Sequence, residues 1–252
     1  MTTPILRTAK SNRLLAALPP SVLDGILPAL DLKPLKMRQV LQTRGEALKD
    51  VVFPLAGVAS MVSMGESGES VEVATIGCEG MVGLPVFLGG ERAAVEIFMQ
   101  VPGEGLHLPA AAFRDHVERE PSLSRTLLLY TQALLTQVAQ CSACNCYHSV
   151  EARCARWLLQ TRDRVKGDEF PLTQDFLGLM LGVRRSSVTE TAQSLQLRGL
   201  IRYHRGVITV LNRKGLEAAA CECYRLITRE FERLLSSARR RSANEKSGNR
   251  AG

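Results

Sequence analysis

The sequence predicts an α+β fold of two modules, a β-sandwich or small barrel followed by a helical module, with one long helix between them. Three observations predict it. From Lys36 to Leu108, short runs rich in Val, Ile and Phe alternate with glycine-containing turns. From Ala110 to about Cys146 there is no glycine, and Pro121 is the only proline. Charge divides along the same line: residues 1–150 carry 12 Lys/Arg against 14 Asp/Glu, a net of −2, whereas residues 151–252 carry 20 against 11, a net of +9. A near-neutral module followed by a basic one points to a polyanionic partner for the second.

Composition narrows the class further. At 252 residues, 45% hydrophobic and 23% charged, the chain is an ordinary folded protein, which excludes global disorder and fibrous repeats. Seven cysteines, an odd number, fit reduced thiols better than a secreted disulfide framework. No secretory leader is read at the start, and TLLLYTQALL, interrupted by Thr131 and Gln132, falls far short of the ~20 apolar residues that span a bilayer. A cytoplasmic protein with no membrane partner is expected.

The elements follow in order. The first ten or so residues read as a loose leader. Ser11–Leu18 and Pro20–Leu30 read as short helices, the second with Val22, Ile26, Leu27 and Leu30 near helical spacing. Val51–Phe53, Val58–Val62, Val71–Ile76 and Val95–Val101 read as strands, with turns at Gly45, Gly57, Gly65, Gly68, Gly77, Gly89–Gly90 and Gly103–Gly105. Beyond Pro109, Leu123, Leu127, Tyr130, Leu134, Val138, Cys141 and Asn145 recur at steps of four and three. That is a helix of about 25 residues with one narrow seam, which either faces the chain's own core or pairs with a second copy of itself. Pairing is the favoured reading, because a helix this long has little of its own domain left to cover it. Val150–Val165 resumes a helix with Ser149 as its cap, and Gly215–Leu235 closes the fold as a terminal helix. The polar tail, residues 236–252, is expected to be disordered and basic.

The informative segment is LTQDFLGLMLGVRRSSVTETAQSLQLRGLI, residues 172–201. Thr173 can cap a first helix whose apolar positions are Phe176, Leu177 and Met180. Gly182 permits the tight turn after it. A second helix from about Arg184 turns Val188, Ala192 and Leu195 inward and leaves Arg185, Ser186, Thr189, Glu190 and Gln193 for its other side. A short helix, a glycine turn and a second helix with a polar, basic start make the helix-turn-helix pattern. Arg185 can bond guanine bidentately, and the Ser and Thr hydroxyls can bond phosphates or bases. The following LIRYHRGVITVL reads as a hairpin wing that carries Arg202, His204 and Arg205 toward the nucleic-acid backbone. From Thr173 to Lys214 there are 7 Lys/Arg and 2 Asp/Glu, a net of +5.

This segment, with the wing and GLEAAACECY behind it, resembles the C-terminal DNA-binding domain of the Crp/Fnr family of bacterial transcription regulators. The upstream order of β-domain, long helix and HSVEARCARWLL is also that family's order. The resemblance implies a cyclic-nucleotide-binding-like β-roll (jelly roll) over residues 12–112, a dimerisation helix over 113–147 carrying Leu127, Tyr130, Leu134, Val138 and Cys141, and a winged helix-turn-helix over 149–225. It further implies a homodimer on a near-palindromic operator in double-stranded DNA, with RNA polymerase as a candidate partner. By the resemblance Arg185 falls on the base-reading arginine and Ser187 on a phosphate-contacting hydroxyl. Ser186 and Glu190 replace the Glu and Arg of the cyclic-AMP-responsive members, so their half-site does not transfer. The family's nucleotide pocket needs a Gly-Glu pair and an Arg-Ser or Arg-Thr pair. Gly83-Leu84 and Arg92-Ala93 stand there instead, which leaves Arg92 alone, removes the basis for binding cyclic AMP and leaves the small-molecule effector unidentified.

Two other classes compete. Cys141, Cys144, Cys146 and Cys154 form the densest thiol cluster and could serve a redox- or metal-responsive regulator. On one continuous helix, however, Cys141 and Cys154 lie about 20 Å apart, and buried small hydrophobes are the favoured reading. Cys221 and Cys223, two apart on a helix, are expected to face opposite ways and be structural. A cupin-like metalloenzyme would need clustered histidines, and His107, His116, His148 and His204 are scattered. The sequence therefore assigns no catalytic residue, no metal ligand and no cofactor. Trp157 is read as a core or interdomain anchor.

Overall fold

The computed structural model describes residues 4–66 and 70–248, with side chains as far as Ala238. The chain opens with helix α1 (Pro4–Ala9), a 3-10 turn (Leu15–Ala17), α2 (Pro20–Ile26) and a second 3-10 turn (Leu27–Ala29). The expected loose leader is thus partly helical from Pro4, and Ala9 is fully buried. Residues 1–3 lie outside the described range.

A five-stranded antiparallel sheet follows, built from β1 (Asp31–Leu35), β2 (Val40–Gln42), β3 (Asp50–Met64), β4 (Ser70–Ile76) and β5 (Glu96–Pro109), with the short helix α3 (Leu84–Phe87) between the last two strands. The order is β1-β5-β3-β4, and β2 also pairs with β5. Here the glycine reading needs correction. Gly57 and Gly103 do not end strands; they sit inside β3 and β5, which run on as 15- and 14-residue strands. At Gly57 (φ +88°) a β-carbon would lie 2.7 Å from the Val101 carbonyl oxygen, and one at Gly103 would strike the Ala56 carbonyl. The register shifts there, between Ala56 and Val58. These glycines mark bulges that bend a closely crossing strand pair, a role glycine shares with turns.

Helix α4 (Ala110–Arg119) is a separate element from α5 (Pro121–Tyr147). The long helix therefore begins at Pro121 rather than near residue 113, because proline fits the first turn of a new helix better than the interior of an old one. Its expected pairing seam is the largest correction. Leu123, Leu127, Tyr130, Leu134 and Cys141 are buried within one chain, and Val138 packs against the same cluster. The cover is α10 (Cys223–Gly248), whose Ile227, Phe231, Leu234 and Leu235 share that core, with the Tyr130 and Phe231 rings 6.4 Å apart. The Tyr130 hydroxyl donates to the Met81 carbonyl (3.0 Å) and accepts from the Met81 amide (3.2 Å), which fixes α5 on the β-roll.

The expected terminal helix is in fact two: α9 (Arg213–Ala219) and α10, with Ala220–Glu222 between them. Helix α10 runs to Gly248, so the segment read as a disordered tail is helical from Ser236 to Gly248; residues 249–252 lie outside the described range. Among the described residues no helix is long and apolar enough to cross a membrane.

The second module comprises α6 (Val150–Arg162), β6 (Glu169–Pro171), α7 (Gln174–Leu181), α8 (Arg185–Leu197), β7 (Ile201–His204), β8 (Val207–Val210) and α9. Its core continues into the β-roll: Val58, Val62 and Val101 pack with Trp157, Leu177, Met180 and Phe170. Trp157 is indeed an interdomain anchor. Its Nε1 donates to Glu72 Oε1 on β4 at 2.8 Å, and Ser60 Oγ lies 2.7 Å from Glu72 Oε2 and close against Gln100 Oε1. One hydroxyl proton cannot serve both acceptors, so a protonated Glu72 satisfies the group. Burial agrees, raising the Glu72 pKa to about 7 against the pull of its hydrogen bonds and nearby arginines.

Because the folded pKa exceeds the unfolded one, stability falls as pH rises from about 4.5 to about 7 and stays lower above that. At roughly 1.4 kcal/mol per tenfold change in proton affinity, the loss is about 3 kcal/mol. Glu72→Gln keeps the shape and supplies a donor to Ser60. It is expected to raise the melting temperature at pH 8 and to leave it nearly unchanged near pH 4.5, as read by circular dichroism.

Candidate nucleic-acid interface

Helix α7 starts where Thr173 Oγ1 accepts from the Phe176 amide (3.2 Å) and stops at Gly182, which adopts φ +62°. The left-handed residue reverses the chain, and the Val183 amide then bonds back to the Gly178 carbonyl (2.9 Å). Gly178 allows this approach: a β-carbon there would meet the Val183 oxygen at 3.0 Å. Leu177, Met180 and Leu181 of α7 face Val188, Ala192 and Leu195 of α8, all buried. Burial of that line fixes which side of α8 is left outside.

The outside carries the expected residues. Thr173, Arg184, Arg185, Ser186 and Glu190 are exposed, and Ser187 and Thr189 half-exposed. Arg184 is the N-cap and makes no side-chain cap bond, so the amides at the start of α8 remain open to an anion. Arg185 Nη1 rests 3.4 Å from Asp175, an exposed pair that can be exchanged for another acceptor at little cost. Thr189 differs from expectation, for its hydroxyl lies 3.0 Å from Gln174 Oε1 on α7 and 3.1 Å from the Arg185 carbonyl, and its one proton already has an acceptor within the protein. At its far end α8 is held to α6 by Glu151, which accepts from Ser194 (2.6 Å) and Arg198 (2.5 Å).

The wing is the three-stranded sheet β6-β8-β7. Its tip is Arg205-Gly206, at φ +48° and +76°, the paired left-handed conformation of a tight hairpin. Arg202, His204 and Arg205 are exposed on it, and Gln196 Oε1 accepts from the Tyr203 amide (2.8 Å), joining the wing to α8. Helix N-terminus, arginines and wing thus hang on one packed unit.

The residues of the expected effector pocket are placed differently. Gly83 (φ +94°) precedes α3, and Leu84 is buried in the main apolar core with Met81, Val86 and Leu106. Ala93 is buried; Arg92 is exposed, its Nη1 donating to the Gly45 carbonyl at 2.8 Å. A cleft of about 310 Å³ opens elsewhere in the roll, beside Gln39, Lys49, Asp50 and His107.

Nor do the thiols group as their sequence density suggests. Cys154 is buried in the winged-helix core, Cys141 in the core beneath α10, and Cys146 is exposed. Cys144 instead meets Cys221, Sγ to Sγ 3.5 Å, with Cys223 and His148 beside them. Cys221 and Cys223 do not lie on one helix as expected, since α10 begins only at Cys223 and Cys221 lies in the connection before it, which follows the extended Ala220; the two sulfurs converge there. The spacings that signal this are Cys144-x3-His148 and Cys221-x-Cys223, 77 residues apart between the cysteines that touch.

Comparison with known proteins agrees with this geometry. Residues 32–120 match the cyclic nucleotide-binding domain and residues 152–219 the Crp-like helix-turn-helix domain. No curated protein sequence matches the chain. Among solved structures, the chain is similar to FixK2 from Bradyrhizobium japonicum (TM-score 0.65, 14% identity, 76% of this chain and 98% of that one). It is similar too to a regulator of the crp/fnr family from Eubacterium rectale (0.61, 18%, 83% and 98%). A third likeness is to the c-di-GMP responsive regulator CLP of Xanthomonas campestris (0.60, 12%, 75% and 98%). With both domain models matched in order on a β-roll, a long helix and a winged helix, the chain belongs to the Crp/Fnr family of DNA-binding transcription regulators.

Proposed function

We propose that the protein binds a near-palindromic DNA operator as a homodimer, one α8 per half-site, under control of a signal received by the β-roll that is not cyclic AMP. The observation that carries the DNA reading is the exposed start of α8, with Arg184, Arg185, Ser186 and Ser187 and an open helix N-terminus, beside a wing bearing Arg202 and Arg205. In the major groove, Arg185 leaves Asp175 and bonds guanine O6 and N7, Ser187 takes a phosphate, and the wing arginines track the backbone. Arg185→Ala is expected to weaken specific binding by about 1–3 kcal/mol and relax selectivity at one base pair. Arg205→Ala is expected to weaken all sequences alike and lower the salt slope by about one. Fluorescence anisotropy on matched and scrambled duplexes at several salt concentrations separates the two.

The dimer is supported by a second stripe on α5, on the opposite side from the one the sequence singled out. Arg125, Leu128, Gln132, Leu135, Ala139 and Ser142 are exposed at steps of three and four, the spacing of a coiled-coil seam. Leu128 and Leu135 are 57% and 65% exposed. An effector shifts the population between two rotations of the paired helices and sets the recognition helices ~34 Å apart, one turn of DNA. Against cyclic AMP stand Leu84 and Ala93, both buried where a carboxylate and a hydroxyl would be needed. Adding cyclic AMP is expected to leave operator affinity unchanged.

A further inference from the structure

Four side chains with the chemistry of zinc ligands meet where the long helix joins the DNA-binding module. Cys144 lies on the last turn of α5, His148 just beyond it, and Cys221 and Cys223 at the junction of α9 and α10. One ligand atom from each falls within 4.8 Å of all the others. We infer that Cys144, His148, Cys221 and Cys223 form a tetrahedral Cys3His site for a zinc-class divalent ion, which clamps the end of α5 to the junction of α9 and α10.

The distances suit an ion better than the alternatives. Zinc–sulfur and zinc–nitrogen bonds of about 2.3 and 2.0–2.1 Å at tetrahedral angles place ligand sulfurs about 3.8 Å apart and sulfur about 3.6 Å from nitrogen. Cys144 and Cys221 Sγ are 3.5 Å apart, and Cys223 Sγ is 3.5 Å from His148 Nδ1. A disulfide would need about 2.05 Å. Simple apolar packing of three thiols does not explain why polar groups are aimed at them. Gln140 Nε2 donates to Cys223 Sγ at 3.1 Å, and the imidazole turns Nδ1 inward.

The surroundings fit a metal centre as well. His148 Nε2 lies 3.2 Å from Glu222 Oε1, so Nε2 carries the proton and Nδ1 presents its lone pair to the cluster. A carboxylate behind a histidine is the arrangement that orients metal-bound imidazoles. Cys144 and Cys223 are fully buried and Cys221 nearly so, as in closed structural sites. Three thiolates and a dication leave one negative charge, and Arg153 and Arg156 of α6 stand within electrostatic reach of Cys144 and Cys221 to balance it. Binding expels the three thiol protons.

The test uses the full-length chain, purified without a histidine tag and under anaerobic conditions, with metal content measured by mass spectrometry. One zinc equivalent per chain is expected, and metal-stripped protein titrated with Co²⁺ should develop the intense visible bands of tetrahedral thiolate coordination. Cys144→Ser and Cys223→Ser should each abolish both signals, whereas Cys78→Ser and Cys146→Ser should keep them. Failure of the wild-type chain to take up either ion overturns the site, as does a Cys144–Cys221 disulfide in the anaerobic protein or full retention of metal by both ligand variants. If a ligand variant does not fold, the wild-type cobalt titration decides. None of these readouts depends on DNA binding.

Discussion

Glu79→Ala is expected to lower stability by about 3–5 kcal/mol. Glu79, in the turn after β4, and Arg164, just past α6, form a buried ion pair that joins the β-roll to the DNA-binding module. Glu79 Oε1 accepts from Arg164 Nε (2.9 Å) and Nη2 (2.8 Å) and from the Gly77 amide (3.1 Å). Both side chains are under 10% exposed. Removing the carboxylate leaves a guanidinium buried without its partner, and that desolvated charge is what costs, more than the attraction lost. The double variant Glu79→Leu/Arg164→Leu should therefore recover most of the stability.

At about 2–4 °C per kcal/mol for a chain of this size, Glu79→Ala should melt about 6–20 °C lower than wild type in calorimetry. Burial works to raise the Glu79 pKa, but Arg164 more than offsets it and holds the carboxyl below its ordinary value. The folded pKa being depressed, this contribution is present above the unfolded value and is lost as pH falls through the folded one. Glu72 runs the other way, losing stability as pH rises. The two acids on one domain boundary thus set opposite limits, and the wild-type stability maximum should lie between them.

Leu128→Glu/Leu135→Glu is expected to reduce operator affinity by about 10²- to 10⁴-fold, the size of the advantage that linking two binding modules confers. Both leucines point outward, so the folded monomer loses no packing. In a dimer they would face their copies across the α5 seam, where four carboxylates would repel. Sedimentation should show monomers with unchanged circular dichroism, and each monomer should retain only half-site affinity. A control in the buried line, Leu134→Glu, should unfold the chain instead, because Leu134 lies in the core shared with α10. A dimeric double-glutamate variant with full affinity would remove the seam.

Much of this architecture was legible in the sequence because local rules decided it. Thr173, Gly182 and the Val188–Ala192–Leu195 line specify the helix-turn-helix within one short segment, and Arg205-Gly206 specifies the wing tip. What escaped depends on contacts between distant residues. The α5 periodicity was real, yet a heptad pattern cannot tell which partner covers it, and Phe231 and Leu234 lie about a hundred residues further on. Glycines 57 and 103 look like turns until β3 and β5 are seen to cross there. The thiol site was hidden for the same reason. Sequence density drew attention to Cys141–Cys154, whereas tertiary structure pairs Cys144 with a cysteine that a single helix would have turned away. Glu72 and Glu79 gave no signal at all, since burial of a carboxylate is a property of the assembled boundary.

The most direct measurement is selection from a random duplex library by the purified full-length protein, followed by anisotropy titrations on the enriched sequence and a scrambled control at matched salt. Enrichment of a two-fold symmetric site with half-sites one helical turn apart is predicted, bound at least about 10³-fold more tightly than the control, with that preference reduced by Arg185→Ala. Equal affinity for every duplex, or a preference that Arg185→Ala leaves intact, would contradict it.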